Sequence, residues 1–139
     1  MAILYQAEGV KLPSMKRRKI TNWIKVVANS YVKKTGDIAF IFCSDEKILE
    51  INNQYLQHDY YTDIITFDYS EDNTISGDIF ISLDTVKSNA DQFGTDYDTE
   101  LNRIIIHGIL HLCGINDKAP GEREHMTECE NKALELLEK

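Results

Sequence analysis

The chain has 139 residues, 42% hydrophobic and 27% charged, with seven Gly and two Pro, a globular composition that excludes collagen-like, low-complexity and disordered classes. That length predicts a single domain over residues 1–139 that buries a core without a disulfide or metal staple, so any metal is expected to be functional. The net charge of −8 argues against nonspecific polyanion binding by the whole surface, yet residues 1–35 carry +7 and the remainder −15, which predicts two electrically different faces.

Residues 2–6 are expected to form a short strand. From Ser14 onward Ile20, Trp23, Ile24, Val27 and Tyr31 recur at helical spacing, which predicts an amphipathic helix closed by Gly36. The polar face of this helix carries Lys16, Arg17, Arg18 and Lys19, a solvated terminus or an RNA contact. Ile38 to Cys43 reads as a strand buried on both faces, and Ser44 as the cap of a second helix with Ile48, Ile51 and Tyr55 inward. Ile64 to Tyr69 and Ile75 to Leu83 read as a hairpin across the polar turn Ser70 to Thr74. Asp84 is expected to cap a short helix broken by Gly94, and Asp98 or a neighbour to start a helix reaching Cys113. Pro120 suits the first turn of a last helix, with Met126, Cys129, Ala133 and Leu137 on one stripe. The order βαβαββααα predicts an α+β domain with a small mixed sheet of about four strands and helices mainly on one side. No run approaches the roughly 18 apolar residues of a membrane span, and residues 1–10 lack the pattern of a signal peptide, so a cytoplasmic protein is expected. Cys43, Cys113 and Cys129 form no CxxC pair and are expected to be small buried hydrophobes.

The chemistry is concentrated in Ile104 to Asp117. His107 and His111 stand four residues apart on what should be a buried helix, which places both imidazoles on one face, one turn apart, as a single ion requires. Gly114 can take the left-handed conformation that ends a helix, so that Asp117 swings back toward the histidines. The pattern H-x-x-x-H-x-x-G-x-x-D has the spacing of the extended zinc motif of metzincin-type proteases with a carboxylate as third ligand. Gly108, however, stands where an HExxH protease carries its general base, so peptidase action by that mechanism is not expected.

Three ordered blocks then carry a specific resemblance: Ile51-Asn52-Asn53-Gln54-Tyr55 followed by Asp59 and by Thr62-Asp63-Ile64-Ile65-Thr66-Phe67; Gly77-Asp78-Ile79-Phe80-Ile81-Ser82; and His107-Gly108-Ile109-Leu110-His111-Leu112-Cys113-Gly114. Together they resemble the YbeY family of bacterial metal-dependent endoribonucleases of ribosomal RNA maturation and ribosome quality control. The resemblance implies a hydrolase that holds Zn²⁺, or another divalent transition metal, through His107, His111 and Asp117, with Asp117 where many members have histidine. It also implies that Thr62, Asp63, Phe67, Gly77 and Asp78 lie on a strand beside the metal cleft. Many members carry an Arg where this chain has Leu56, so Arg103, one turn before His107, is a candidate catalytic substitute. Implied partners are ribosomal RNA, the small ribosomal subunit, and an assembly GTPase or ribosomal protein. Glu100 could orient an imidazole, while His58 and His125 read as solvated. A non-catalytic metal-stabilised assembly factor and a metallohydrolase of another substrate are the alternatives.

Overall fold

In the computed structural model, which describes residues 2–56 and 64–138, four strands and five helices follow the expected order. The strands are β1 (Ile3–Ala7), β2 (Lys34–Cys43), β3 (Ile64–Asp68) and β4 (Thr74–Ser82); the helices are α1 (Arg17–Ser30), α2 (Asp45–Leu56), α3 (Leu83–Phe93), α4 (Tyr97–Leu112) and α5 (Glu122–Glu138). The sheet order is β1-β2-β4-β3, with β1, β2 and β4 parallel and β3 antiparallel to β4. Among the described residues no helix is long and apolar enough to cross a membrane.

Alternation along the strands assigns the two faces of the sheet. Ile38, Phe40 and Phe42 of β2 and Ile75, Ile79 and Ile81 of β4 join the main core with α1, α3, α4 and α5, whereas Cys43, Ile65, Phe67 and Phe80 meet Ile48 and Ile51 of α2 on the opposite face. Four helices thus share one side. In α4 the buried residues Leu101, Ile104, Ile105, Ile106, Ile109, Leu110 and Leu112 leave few positions facing solvent, which is why it sits centrally. Each such side chain contributes about 1.5–3 kcal/mol on burial, so Ile105→Ala is expected to cost roughly 2–5 kcal/mol in a urea melt. Trp23 Nε1 donates to the Ala133 carbonyl at 2.6 Å and ties α1 to α5.

Two expected helix ends are corrected. Gly36 does not close α1 but lies inside β2, where a Cβ would come within 2.9 Å of Thr74 Cγ2. The helix stops earlier because Val32 takes φ 60° and Lys33 N–H reaches back to the Ala28 carbonyl. A β-branched residue seldom adopts that conformation, so no sequence signal marks the stop. Asp84 does not cap α3 either. Ser82 does, accepting from Thr85 N–H at 3.3 Å, while the Asp84 carboxylate accepts from Asp45 N–H in the first turn of α2 at 3.0 Å. Asp96 caps α4 by accepting from Thr99 N–H at 2.8 Å.

Candidate metal centre

The close seating of α4 on the sheet begins with two small residues. A Cβ on Gly108 would lie 3.1 Å from Ile64 Cδ1 and from two Ile79 carbons, and one on Gly77 would lie 2.2 Å from the Phe67 carbonyl oxygen. Position 108 therefore faces the sheet and has no room for a carboxylate. His107 and His111 face away from it, with side chains 19% and 27% exposed, and their rings stand edge to face with centroids 4.5 Å apart.

Past Leu112 the chain reverses. Gly114 has φ 97° and Ile115 N–H bonds to the Leu110 carbonyl at 3.0 Å, the six-to-one closure of a helix-ending glycine turn. Ile115 packs against the core, and two residues later Asp117 arrives on the histidine face. Asp117 Oδ2 lies 3.3 Å from His107 Nε2 and 3.6 Å from His111 Nε2. Donors about 2.0–2.1 Å from a tetrahedral ion stand roughly 3.3–3.4 Å apart, so the carboxylate oxygen is already close to that spacing from each imidazole, and the ligand atoms of all three residues lie within 4.8 Å of one another. The His107, His111 and Asp117 group could hold a metal ion.

A residue that no sequence motif singles out fixes the geometry. Glu130 of α5, 8% exposed, accepts from His107 Nδ1 at 2.7 Å through one oxygen and from Arg103 Nη1 at 2.8 Å through the other. Arg103 Nη2 donates to Asn131 Oδ1 at 2.7 Å. A proton held on Nδ1 leaves the Nε2 lone pair directed at Asp117, the carboxylate–histidine arrangement that metal sites use to set tautomer and ring orientation. Burial alone would raise the Glu130 carboxyl, but the hydrogen bonds and charges of His107 and Arg103 outweigh it and hold the group below its ordinary 4.5. Burial and the neighbouring His107 depress His111 below 6.5, which keeps it neutral and able to bind a cation at neutral pH.

These shifts give a signed pH dependence for the chelator-treated protein. As pH falls through 6.5 the unfolded chain protonates the residue-111 imidazole before the folded chain does, so stability drops until the depressed folded value is reached. Glu130 acts lower: its stabilisation is present above 4.5 and is lost as pH falls through the folded value beneath it. Urea melts should show the upper step in the wild type and its loss in His111→Gln. An upper step of the same size in both proteins would contradict a desolvated His111.

The centre opens into a cleft of about 750 Å³ between α3, α4, α5 and the loop after α4. Arg103, Glu100, Lys118, Arg123 and Glu130 line it with His107 and Asp117. Glu100 is buried in the cleft wall. His125 is exposed, its Nε2 3.7 Å from Cys129 Sγ, and does not join the ligand group. Phe67 stacks edge-on against Phe80 on the α2 face of the sheet, opposite α4, and Asp78 accepts from the Tyr69 hydroxyl at 3.5 Å. Lys16, Arg17, Arg18 and Lys19 line a separate surface depression at the start of α1. His58, Thr62 and Asp63, and the side chains of Tyr55 and Leu56, lie outside the described residues. Cys43 and Cys129 are buried and Cys113 partly so; burial pushes the Cys43 thiol up to about 12 and the Cys113 thiol up to about 11, which suits packing and not reactivity.

A protein-family model described as Endoribonuclease YbeY matches residues 3–138. The chain belongs to the YbeY family. Among YbeY relatives, one named Endoribonuclease YbeY from Bacteroides thetaiotaomicron is 70% identical over 98% of this chain and 99% of its own length. A Porphyromonas gingivalis relative of the same name is 52% identical over 97% of this chain and 89% of its own. The YbeY-family chain also superposes on a solution structure of a Thermotoga maritima protein with a TM-score of 0.65 and 27% identity, covering 98% of this chain and 89% of that one.

Proposed function

We infer that this protein is a Zn²⁺-dependent, single-strand-specific endoribonuclease of ribosomal RNA maturation and ribosome quality control, working in the cytoplasm. The observation that carries the reading is the convergence of His107 Nε2 and His111 Nε2 on one Asp117 oxygen while Glu130 holds His107 Nδ1, in a chain of an endoribonuclease family. Two imidazoles and a carboxylate suit zinc and leave one tetrahedral position open. When bound there, the ion supplies Lewis-acid and water-activating chemistry for phosphodiester hydrolysis.

The chain's own residues do the rest. His107, His111 and Asp117 bind the ion, Glu130 orients His107, and Arg103 holds Glu130 from the cleft side, which makes Arg103 a support of the centre before it is a phosphate contact. Lys118 and Arg123 place positive charge along the cleft where a phosphate backbone would lie. A peptidase reading lacks its proton carrier, because position 108 is Gly and is pressed against Ile64 and Ile79. By the same reading the RNA is ribosomal and carried on the small subunit, with an assembly GTPase or ribosomal protein as protein partner. Incubating the protein with single-stranded and duplex fragments of ribosomal RNA, with and without chelator, tests it: cleavage of the single strand that stops with chelator is expected, and chelator-resistant cleavage contradicts it.

The start of α1 is the proposed second RNA contact. Lys16, Arg17, Arg18 and Lys19 crowd the positive end of the helix dipole with no acidic residue in the first turn, each unfavourable by about 0.3–1 kcal/mol for the helix itself. Such a placement is offset when an external anion is bound. Arg17→Glu with Arg18→Glu should lower the slope of log affinity against log salt by about 0.7 for each phosphate that the variant no longer neutralises. An unchanged slope returns these residues to a solvated surface.

A further inference from the structure

We propose that Phe93 is a stacking platform for one unpaired base of the RNA, placing the neighbouring phosphate at the metal centre; this rests on the nuclease reading above. Phe93 is 63% exposed although its helix buries Val86 and Ala90. A single exposed aromatic is ordinary on a protein surface, so its position decides the matter. It lines the same cleft as His107 and Asp117, and so does Asn89, one turn earlier on α3. The amide of Asn89 offers a donor and an acceptor beside the ring, as an edge of a stacked base requires.

The ring is held in that place by the end of its helix. Gly94 follows Phe93 with φ 67°, and the N–H groups of both Gly94 and Thr95 return to the Ala90 carbonyl, so α3 stops with Phe93 as its last residue. Lys118 and Arg123, both exposed and without an ion pair among the described residues, line the cleft as well. An aromatic face beside unpaired cations is the combination by which proteins hold single strands, with bases stacked and phosphates neutralised. A base still paired in a duplex keeps its faces covered by its neighbours and cannot use the ring. The platform therefore selects for unstacked RNA at the point of cleavage, a selection that the metal alone does not make.

Steady-state cleavage of a single-stranded oligoribonucleotide by the zinc-loaded full chain tests this, with a second substrate carrying one abasic nucleotide scanned along its length. Phe93→Ala should raise KM about 5- to 150-fold, the range set by one base–aromatic stack, with kcat within about twofold of wild type. Phe93→Trp should restore KM, and Phe93→Leu should not, because it is apolar without a π face. At one abasic position wild type and Phe93→Ala should converge. The platform is overturned if wild type cleaves while Phe93→Ala keeps KM within twofold, or if Phe93→Leu restores KM as well as Phe93→Trp does; in both cases the nuclease reading stands. Absence of cleavage by wild type overturns both.

Discussion

His111→Ala is expected to abolish RNA cleavage while leaving the metal-free fold intact. The imidazole is one of three groups converging on a single point, with its Nε2 3.6 Å from Asp117 Oδ2, and its removal leaves His107 and Asp117 to hold an ion with water at two corners. Loss of an outer partner of a ligand already costs roughly 10- to 100-fold, so loss of a ligand itself should lower cleavage by more than about 100-fold. Stability without metal should change by less than about 1 kcal/mol, since the side chain is partly exposed and sits on the last turn of α4. Added zinc distinguishes the two proteins again. An ion at a thousandfold its Kd stabilises a folded chain by about 4 kcal/mol, so the wild type should show a zinc-dependent rise in Tm that the variant lacks. Cleavage that persists undiminished in the variant points to a contaminating nuclease.

Glu130→Ala should lower zinc affinity roughly 10- to 100-fold without touching a ligand. His107 then loses the acceptor that holds its proton on Nδ1, and the two imidazole tautomers compete at the centre. The substitution also leaves Arg103 without its carboxylate, so the fold should lose about 1–3 kcal/mol, less than for a fully dry pair because Arg103 is 30% exposed. Glu130→Gln separates the effects: its amide oxygen can still accept from Nδ1–H, and zinc affinity should recover most of the loss although the charge pair with Arg103 is gone. Competition with a chelating dye reads the affinity, and nitrogen NMR of the metal-free imidazole reads the tautomer. Equal zinc affinities in wild type and Glu130→Ala would remove Glu130 from the centre.

The contrast between Glu130 and the candidate ligands shows what the sequence makes legible. His107, His111, Gly114 and Asp117 lie within eleven residues, and helical geometry plus one left-handed glycine is enough to bring them together. Glu130 lies 23 residues beyond His107 on another helix, and the pairing depends on how α5 packs against α4. One signal for it does exist: Glu130 stands four residues after Met126 and three before Ala133, both buried, and an acid on an apolar stripe calls for a buried partner. The apolar members of that stripe mask it, because periodicity weighs only hydrophobic positions. Glu100, the acid to which helical spacing points instead, is also buried in the cleft wall.

The element order and the four-strand mixed sheet followed from periodicity and turn residues, because the buried faces dominate those segments. Local ends were less legible. Val32 at φ 60° defies its own propensity and ends α1 where no glycine marks the place, and Ser82 takes the cap expected of Asp84, whose carboxylate accepts from Asp45 N–H in the first turn of α2. The Asp84–Asp45 bond is tertiary, so no local pattern announces it.

The claim that His107, His111 and Asp117 hold the ion that cuts RNA is tested most directly by titrating zinc into chelator-treated protein while bound metal and RNA cleavage are followed together. Wild type and Asp117→His should gain cleavage in step with bound zinc up to a single equivalent. Asp117→Ala should bind zinc weakly and cleave little, and His125→Ala should match wild type, since His125 lies outside the ligand group. Full cleavage by the metal-free wild type, or loss of zinc in His125→Ala with retention in Asp117→Ala, would contradict it.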